Sequence, residues 1–427
     1  MDNTVSVSQK HDQLLYRQRH GILFLLFSIW VLSLPFHRFS IVATYSIDNL
    51  LAPFLFLAAV FLPRLRDRVV AIHRIRALLF VVVVYLMHGV SQIIPVLGVP
   101  DVFWHEAWAV LRNGFYFLVP ALYIRDLWSF RVMKRLLVVI TVLGAVSVFL
   151  VAIGVVHLEV ERFAESRIGV DWLPKSVGLF SNYGDLSILY GFVAVLLVSH
   201  NRGELGFGLG TPIGKVALWS VLLLGLVGAQ SRNMLFGTLL AIGVYWVWRR
   251  LQDIRGPQRV AFIGVFLAVI IALPGMVAVF GGALVEGVST LGGAKAEHTA
   301  TGRLESYAQA ISLIARYPFG VSYQEYAVWG GLIYHVHNMW LKLLLNGGII
   351  SMFAVLALFW TAYRGGSRPA RPPLLPVEPA LVVASTAAVF IAVEFYPGLS
   401  DMMWVMLGTL LSFNWVRRTR AAEAPAA

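Results

Sequence analysis

Polar side chains interrupt an apolar stretch of the sequence, YHVHNMWLKLLLNGGII, at 334–350. His335, His337 and Asn338 stand at its start, and Lys342 follows inside it. Because an imidazole titrates near neutral pH, a histidine here can act as general base on an attacking hydroxyl group. The neighbouring asparagine can hydrogen-bond the imidazole or a sugar hydroxyl. The competing interpretation is a histidine at a membrane entrance that is satisfied by water or lipid headgroups.

Two arginines occur where a cation is unfavourable unless it meets an anion. Arg232 follows Ser231 in a short hairpin, GAQSRNMLFG, between two apolar segments. Arg303 lies in the first turn of a predicted helix, where free backbone N–H groups already favour an anion. A guanidinium group can bind phosphate oxygens through two parallel hydrogen bonds. The competing interpretations are a snorkelling side chain for Arg232 and a solvated charge for Arg303.

The predicted helix that carries Arg303 belongs to TGRLESYAQAISLIARYPFG at 301–320. Thr301 is the predicted N-cap, and Pro318 with Gly320 ends the helix. Its apolar positions recur at helical spacing, which predicts an amphipathic helix: Leu304, Tyr307, Ala308, Ile311 and Ala315. In the stretch at 334–350, Gly347-Gly348 permits a bend or a close backbone approach.

Arg112 is predicted to be the most buried charge of the chain, with Glu106 or Asp101 as an internal ion-pair partner. The alternative is a role in substrate binding. Three carboxylates are predicted near the outer face, and any one of them could orient His337: Asp185, Glu394 and Asp401.

The chain contains no HExxH, DxD, GxSxG or phosphate-cradling P-loop motif. Arginines and a histidine without metal ligands suit a reaction that expels a diphosphate already linked to a lipid. The arginines neutralise the departing diphosphate, and the histidine takes the proton of the attacking hydroxyl. No metal and no cofactor are expected.

Composition places this chemistry in a membrane. The 427 residues are 59% hydrophobic and 13% charged, whereas soluble domains carry about 25% charged residues. Absence of cysteine excludes disulfides and thiolate sites. We expect no cleaved signal peptide, because the N-terminal residues lead directly into an apolar segment.

About twelve apolar segments are long enough to cross roughly 30 Å of hydrocarbon, which predicts an all-α polytopic bundle. They lie near 21–37, 46–63, 77–96, 103–124, 136–157, 184–200, 214–230, 233–249, 260–282, 338–362, 380–397 and 400–416.

The basic residues orient this bundle. Most of the 34 Lys and Arg residues fall in alternate loops, which predicts that both termini are cytoplasmic. The net charge of +12 is therefore a topology signal rather than evidence for nucleic acid. The predicted organisation is spans 1–9 in 1–282, a periplasmic loop with the amphipathic helix in 283–337, spans 10–12 in 338–416, and a cytoplasmic tail in 417–427.

Three motifs together resemble the O-antigen ligase and polymerase superfamily. HNMWLKLLLNGGII is similar to its His-Asn/Ser, aliphatic, Gly signature, and QSRN to its Ser-Arg hairpin. TGRLESYAQAISLIARYPFGV is similar to its Gly-Arg, amphipathic helix, Pro, Gly stretch. The resemblance covers about 215–360. Ser351 departs from the pattern, because the family often has a second glycine there.

The resemblance implies a metal-independent, inverting glycosyltransferase in the bacterial inner membrane with its site at the periplasmic face. The donor is a glycan linked to undecaprenyl diphosphate, and the acceptor is lipid A-core or a growing glycan. By resemblance, Arg232 and Arg303 bind the diphosphate and His337 is the base. The candidate substrate-binding residues are Asn338, Ser231, Lys342, His335 and Arg112. Membrane lipids are the other expected partners, and nucleic acid is not.

The modest length and the single large late loop favour a ligase. The alternatives are a polymerase of the same superfamily, a protein O-glycosylating relative, and a transporter or flippase of lipid-linked sugars. A transporter more often shows inverted repeats and charges at the membrane midplane, whereas these residues are predicted at the outer surface.

Overall fold

The computed structural model describes residues 21–36, 40–42, 45–61, 100–124, 127–156, 176–180, 183–198, 211–253, 306–320, 339–366 and 402–412. Helices make up almost all of this part of the chain. They are α1 (21–33, continued by a 3-10 turn at Leu34–Phe36), α2 (Ile47–Phe61), α3 (Pro100–Tyr123), α4 (Leu127–Ala152), α5 (Tyr183–Val198), α6 (Pro212–Ala229), α7 (Arg232–Asp253), α8 (306–316), α9 (Met339–Gly366) and α10 (Met402–Ser412).

One small exception to the all-α prediction lies before α2. Strands β1 (Ser40–Val42) and β2 (Tyr45–Ser46) pair antiparallel, with Ser40 opposite Ser46. The second strand leads directly into α2, so this hairpin fixes how the chain enters that helix.

Two helical segments of the described residues are long and apolar enough to cross a membrane, Trp128–Ala152 and Pro212–Ala229. Shorter apolar helices accompany them, among them Met402–Ser412. The predicted spans at 77–96, 260–282 and 380–397 lie outside the described residues, so the twelve-span count stays a prediction.

The start of α4 corrects one predicted boundary. The sequence predicts a span from 136, but the helix begins at Leu127. Arg131, Lys134 and Arg135 therefore lie on the first turns of the helix rather than in a loop, and Lys134 is buried. A helix can begin before the apolar run because its backbone hydrogen bonds do not require apolar side chains.

Glycines bring α4 and α6 into close contact. A Cβ atom added to Gly225 would overlap Ala145, and one added to Gly228 would approach the backbone of Phe149 at 3.0 Å. Small residues allow helix backbones to approach in this way, and membrane helices use them because lipid supplies no hydrophobic drive between helices. The two contacts also show that α4 and α6 run in the same direction.

Side chains fix the directions of α1, α2 and α3. The Tyr123 hydroxyl donates to the Leu55 carbonyl at 3.0 Å, and the Tyr116 hydroxyl donates to Asp48 near the start of α2. The same offset at both contacts makes α2 and α3 parallel. The ring of Phe27 stacks on that of Tyr123 at 5.3 Å, and Trp30 meets Tyr116 at 5.6 Å, so α1 runs opposite to α3. These directions are those that the predicted alternation of spans requires.

The C-terminal helix α10 joins the same bundle. The ring of Trp404 lies 6.5 Å from that of Phe117, and the Ser412 hydroxyl donates to the Pro120 carbonyl at 2.9 Å. Because both contacts follow chain order on both helices, α10 runs parallel to α3.

We predict that α9 runs from outside to inside, as the charge distribution requires. Reporter fusions after Gly287 and after Gly366 should read outside and inside, respectively. An inside reading at Gly287 would reverse the orientation and remove the candidate site from the periplasm.

Candidate functional site

The hairpin that carries Arg232 is as short as the sequence predicts. α6 ends at Ala229, Gln230 takes a left-handed conformation with φ 45°, and α7 begins at Arg232. Ser231 stands between the two helices as the residue that precedes α7. Its hydroxyl accepts a hydrogen bond from the backbone N–H of Met234 at 3.4 Å.

This geometry gives Ser231 a capping role. A serine hydroxyl at this position satisfies one of the free N–H groups of the first helical turn. Arg232 occupies the first helical position, where the remaining free N–H groups and the helix dipole attract an anion. Both the backbone and the residue type of this turn therefore favour a phosphate ligand.

We predict that Ser231→Ala lowers the free energy of unfolding by about 1 kcal/mol, the usual cost of losing such a cap, and also impairs function at this turn. Thr211 supplies a matched control, because its hydroxyl caps the start of α6 at the other end of that helix by accepting from Gly214 N at 3.1 Å. Thr211→Ala should cost similar stability in a thermal-melt assay of the purified protein. If both variants lose the same stability and Ser231→Ala keeps full activity, the turn has no part in the site.

Helix α5 packs against α7. Val195 of α5 is buried in one small cluster with Ala241 and Tyr245 of α7, and Val198 packs against that cluster.

Asp185 connects the start of α5 to the start of α10. It is buried in the first turn of α5, and its Oδ1 accepts a hydrogen bond from the backbone N–H of Met402 at 3.1 Å. Asp185 is one of the carboxylates predicted to orient His337. Because His337 lies outside the described residues, this stays a prediction. What the structure shows is a carboxylate that caps the start of another helix.

A second part of the site forms where α8 meets α9. α8 ends at 316 and is followed by Pro318, as predicted from Pro318 and Gly320. The Pro318 carbonyl accepts a hydrogen bond from Ile349 N at 2.9 Å. At the neighbouring Gly348 the helix α9 is interrupted, with φ 67° and ψ −169°, which confirms the predicted bend.

Apolar side chains pack the two helices together. Ala310 of α8 and Leu345 of α9 are buried in one cluster, completed by Tyr307, Leu313, Ile314 and Leu341. The two helices therefore contact each other through this cluster as well as through the Pro318–Ile349 hydrogen bond.

The predicted site residues divide into described and undescribed ones. Lys342 lies on the first part of α9, and Arg232 opens α7. Those that lie outside the described residues are Arg303, His335, His337 and Asn338, together with the predicted N-cap Thr301.

Arg112 lies on α3 and is half-buried. Its guanidinium carbon lies 5.9 Å from the centre of the Tyr116 ring, a cation–π contact. The prediction that Arg112 is the most buried charge is wrong, because Asp48 is fully buried. Arg112 lies one helical turn before Tyr116, whose hydroxyl bonds Asp48.

Sequence reasoning missed a buried polar cluster at the start of α2. The Tyr116 hydroxyl donates to the Asp48 carboxylate and lies 3.2 Å from Asn49 Oδ1, while the Asn49 amide donates to Ser46 Oγ at 2.9 Å. An aspartate inside an apolar segment is itself a signal, since such groups are rarely left in hydrocarbon without a partner.

Comparison with known proteins gives a family match for part of the chain. Residues 217–356 match a family model described as O-antigen ligase. No curated protein matches the chain. The match confirms the resemblance to the O-antigen ligase superfamily over α6, α7, α8 and most of α9. It supports an enzyme of the O-antigen ligase or polymerase kind, in a family of membrane proteins.

Proposed function

We propose that the chain is an inner-membrane glycosyltransferase that moves a glycan from undecaprenyl diphosphate to a hydroxyl acceptor. The acceptor is the lipid A-core oligosaccharide, so that the reaction is the ligation of O-antigen. Arg232 and Arg303 bind the donor diphosphate, and His337 is the general base. The reaction inverts the anomeric carbon and needs no metal.

The observation that carries the proposal is the contact between α8 and α9 inside the matched region. In the sequence Arg303 lies three residues before Ser306, and His337 lies two residues before Met339. Both residues thus precede helices that pack together.

The start of α7 supplies the second phosphate ligand in this proposal. Met234, in the first turn after Arg232, and Leu343 of α9 are both buried in the main hydrophobic core. The helix that Arg232 opens and the helix that follows His337 therefore contribute to one hydrophobic core.

These groups can carry out a single displacement. The acceptor hydroxyl oxygen attacks the anomeric carbon of the glycan while His337 takes its proton. The bond from that carbon to the diphosphate oxygen breaks, and the diphosphate leaves on its lipid. The guanidinium groups neutralise the charge that develops on the leaving diphosphate. One displacement at the anomeric carbon inverts its configuration.

A deletion strain tests the proposal through its glycans. Loss of a ligase should leave O-antigen polymer attached to undecaprenyl diphosphate and a core without polymer. Single repeat units attached to the core would instead identify a polymerase. Donor that accumulates at the cytoplasmic face would identify a transporter and overturn the proposal.

A further inference from the structure

We propose that Gly348 is a positioning residue: it receives the turn that follows α8 and so fixes α8 against the first part of α9. The proposal rests on the proposed function in one respect, because the helix held in this way follows Arg303. The contacts that support it involve only residues that the structure describes.

The interruption of α9 exposes a backbone donor at this point. In a continuous helix the N–H of Ile349 would bond the carbonyl of Leu345. With Gly348 at φ 67° and ψ −169°, that N–H is turned outward and bonds the Pro318 carbonyl at 2.9 Å. The break therefore replaces a hydrogen bond within α9 by one between α9 and the turn that follows α8.

Only glycine fits at 348, for two independent reasons. A positive φ is strained for residues that carry a Cβ atom. In addition, a Cβ atom at this position would overlap the backbone Cα, C and O atoms of Phe319. Because backbone atoms cannot move away as a flexible side chain can, a larger residue must displace the whole turn.

Two buried side chains also hold α8, Ser306 at its start and Ala310. Ala310 is its buried anchor in the small cluster with Leu345. The other side of α8 is exposed, with Ile311 58% accessible, and so is Phe319 at 66%. Displacement of the turn at Gly348 therefore removes the backbone hydrogen bond between that turn and α9 and shifts the end of α8 against α9.

Gly348→Ala tests this role. We expect kcat for glycan transfer to fall about 100-fold with a much smaller change in KM, since a misplacement of about 1 Å at a catalytic group can have that effect. Gly243→Ala is the matched control: Gly243 lies within α7, and a Cβ atom there meets nothing within 4 Å. The control should keep the rate and membrane abundance of the natural protein.

A cross-linking experiment separates positioning from activity. The chain contains no cysteine, so Ala310→Cys with Leu345→Cys places a unique pair in the α8–α9 contact. Oxidation should join the pair readily in the natural background and slowly in Gly348→Ala. Once joined, the Gly348→Ala protein should regain transfer, and reduction of the disulfide should remove it again.

A second variant tests the same hydrogen bond in case Gly348→Ala fails to fold. Ile349→Pro removes only the N–H that bonds Pro318, and proline is tolerated in the first turn of the helical segment that follows the break. It should slow both cross-linking and transfer. If Gly348→Ala and Ile349→Pro cross-link at the unmodified rate, the proposal is wrong. If cross-linking behaves as expected and the unmodified protein transfers no glycan, the proposed function is wrong and the positioning role of Gly348 remains.

Discussion

The His337→Ala variant should lose glycan transfer by roughly 10²- to 10⁴-fold, the usual contribution of a general base. Without the imidazole, no group takes the proton of the acceptor hydroxyl as that oxygen attacks. The measurement is the initial rate of transfer from undecaprenyl diphosphate-linked glycan with purified protein. Donor binding should persist, because in the proposed function the arginines, not His337, bind the diphosphate.

His335→Ala is the matched control for this experiment. It removes the same side chain two residues earlier in the same polar stretch, and it should reduce the rate much less. A His337→Ala protein that transfers glycan at the unmodified rate would assign the base to another group. If His335→Ala is the inactive one, the two histidines exchange roles.

Loss of either diphosphate ligand should have a comparable effect. Removal of one electrostatic contact of this kind costs about 3 kcal/mol at the transition state, or about 100-fold in rate. We therefore expect this loss for Arg232→Ala and for Arg303→Ala. Arg→Lys at either position keeps the charge but not the paired hydrogen bonds, and should still impair transfer.

Each arginine has a control on the element that it precedes or begins. Arg250 lies in the last turn of α7, and Arg316 lies at the end of α8; both are exposed. Arg250→Ala and Arg316→Ala remove the same charge from the opposite ends and should leave the rate unchanged. Full activity in both Arg232→Ala and Arg303→Ala, at equal membrane abundance, would exclude the diphosphate role.

Local features of the site were predictable because they depend on a few neighbouring residues. Proline and glycine at 318 and 320 end α8, and Gly348 bends α9, since backbone freedom is decided by the residue itself. The short hairpin before Arg232 was predictable from the length of the two apolar runs. Their partners were not: nothing in the sequence shows that Gly348 receives the backbone of Phe319.

Burial of charge was the least predictable property. Arg112 was expected to be the most buried charge because it lies in the middle of a predicted span. It is half-buried and lies one helical turn before Tyr116, which bonds Asp48 in the first turn of α2. How far one helix is shifted along its axis relative to its neighbour depends on how the two helices pack, and hydropathy carries no information about that shift.

The hydrogen bond between Asp185 and Met402 also has a consequence for the order of folding. The two residues are 217 positions apart, and at about 5 to 20 residues per second the ribosome needs roughly 10 to 40 s to bridge them. During that interval Asp185 lacks the N–H that it caps, and the Pro120 carbonyl lacks the Ser412 hydroxyl. The helices that are synthesised earlier therefore lack these two hydrogen bonds until α10 has been synthesised. A chain that stops before α10 never forms these two hydrogen bonds.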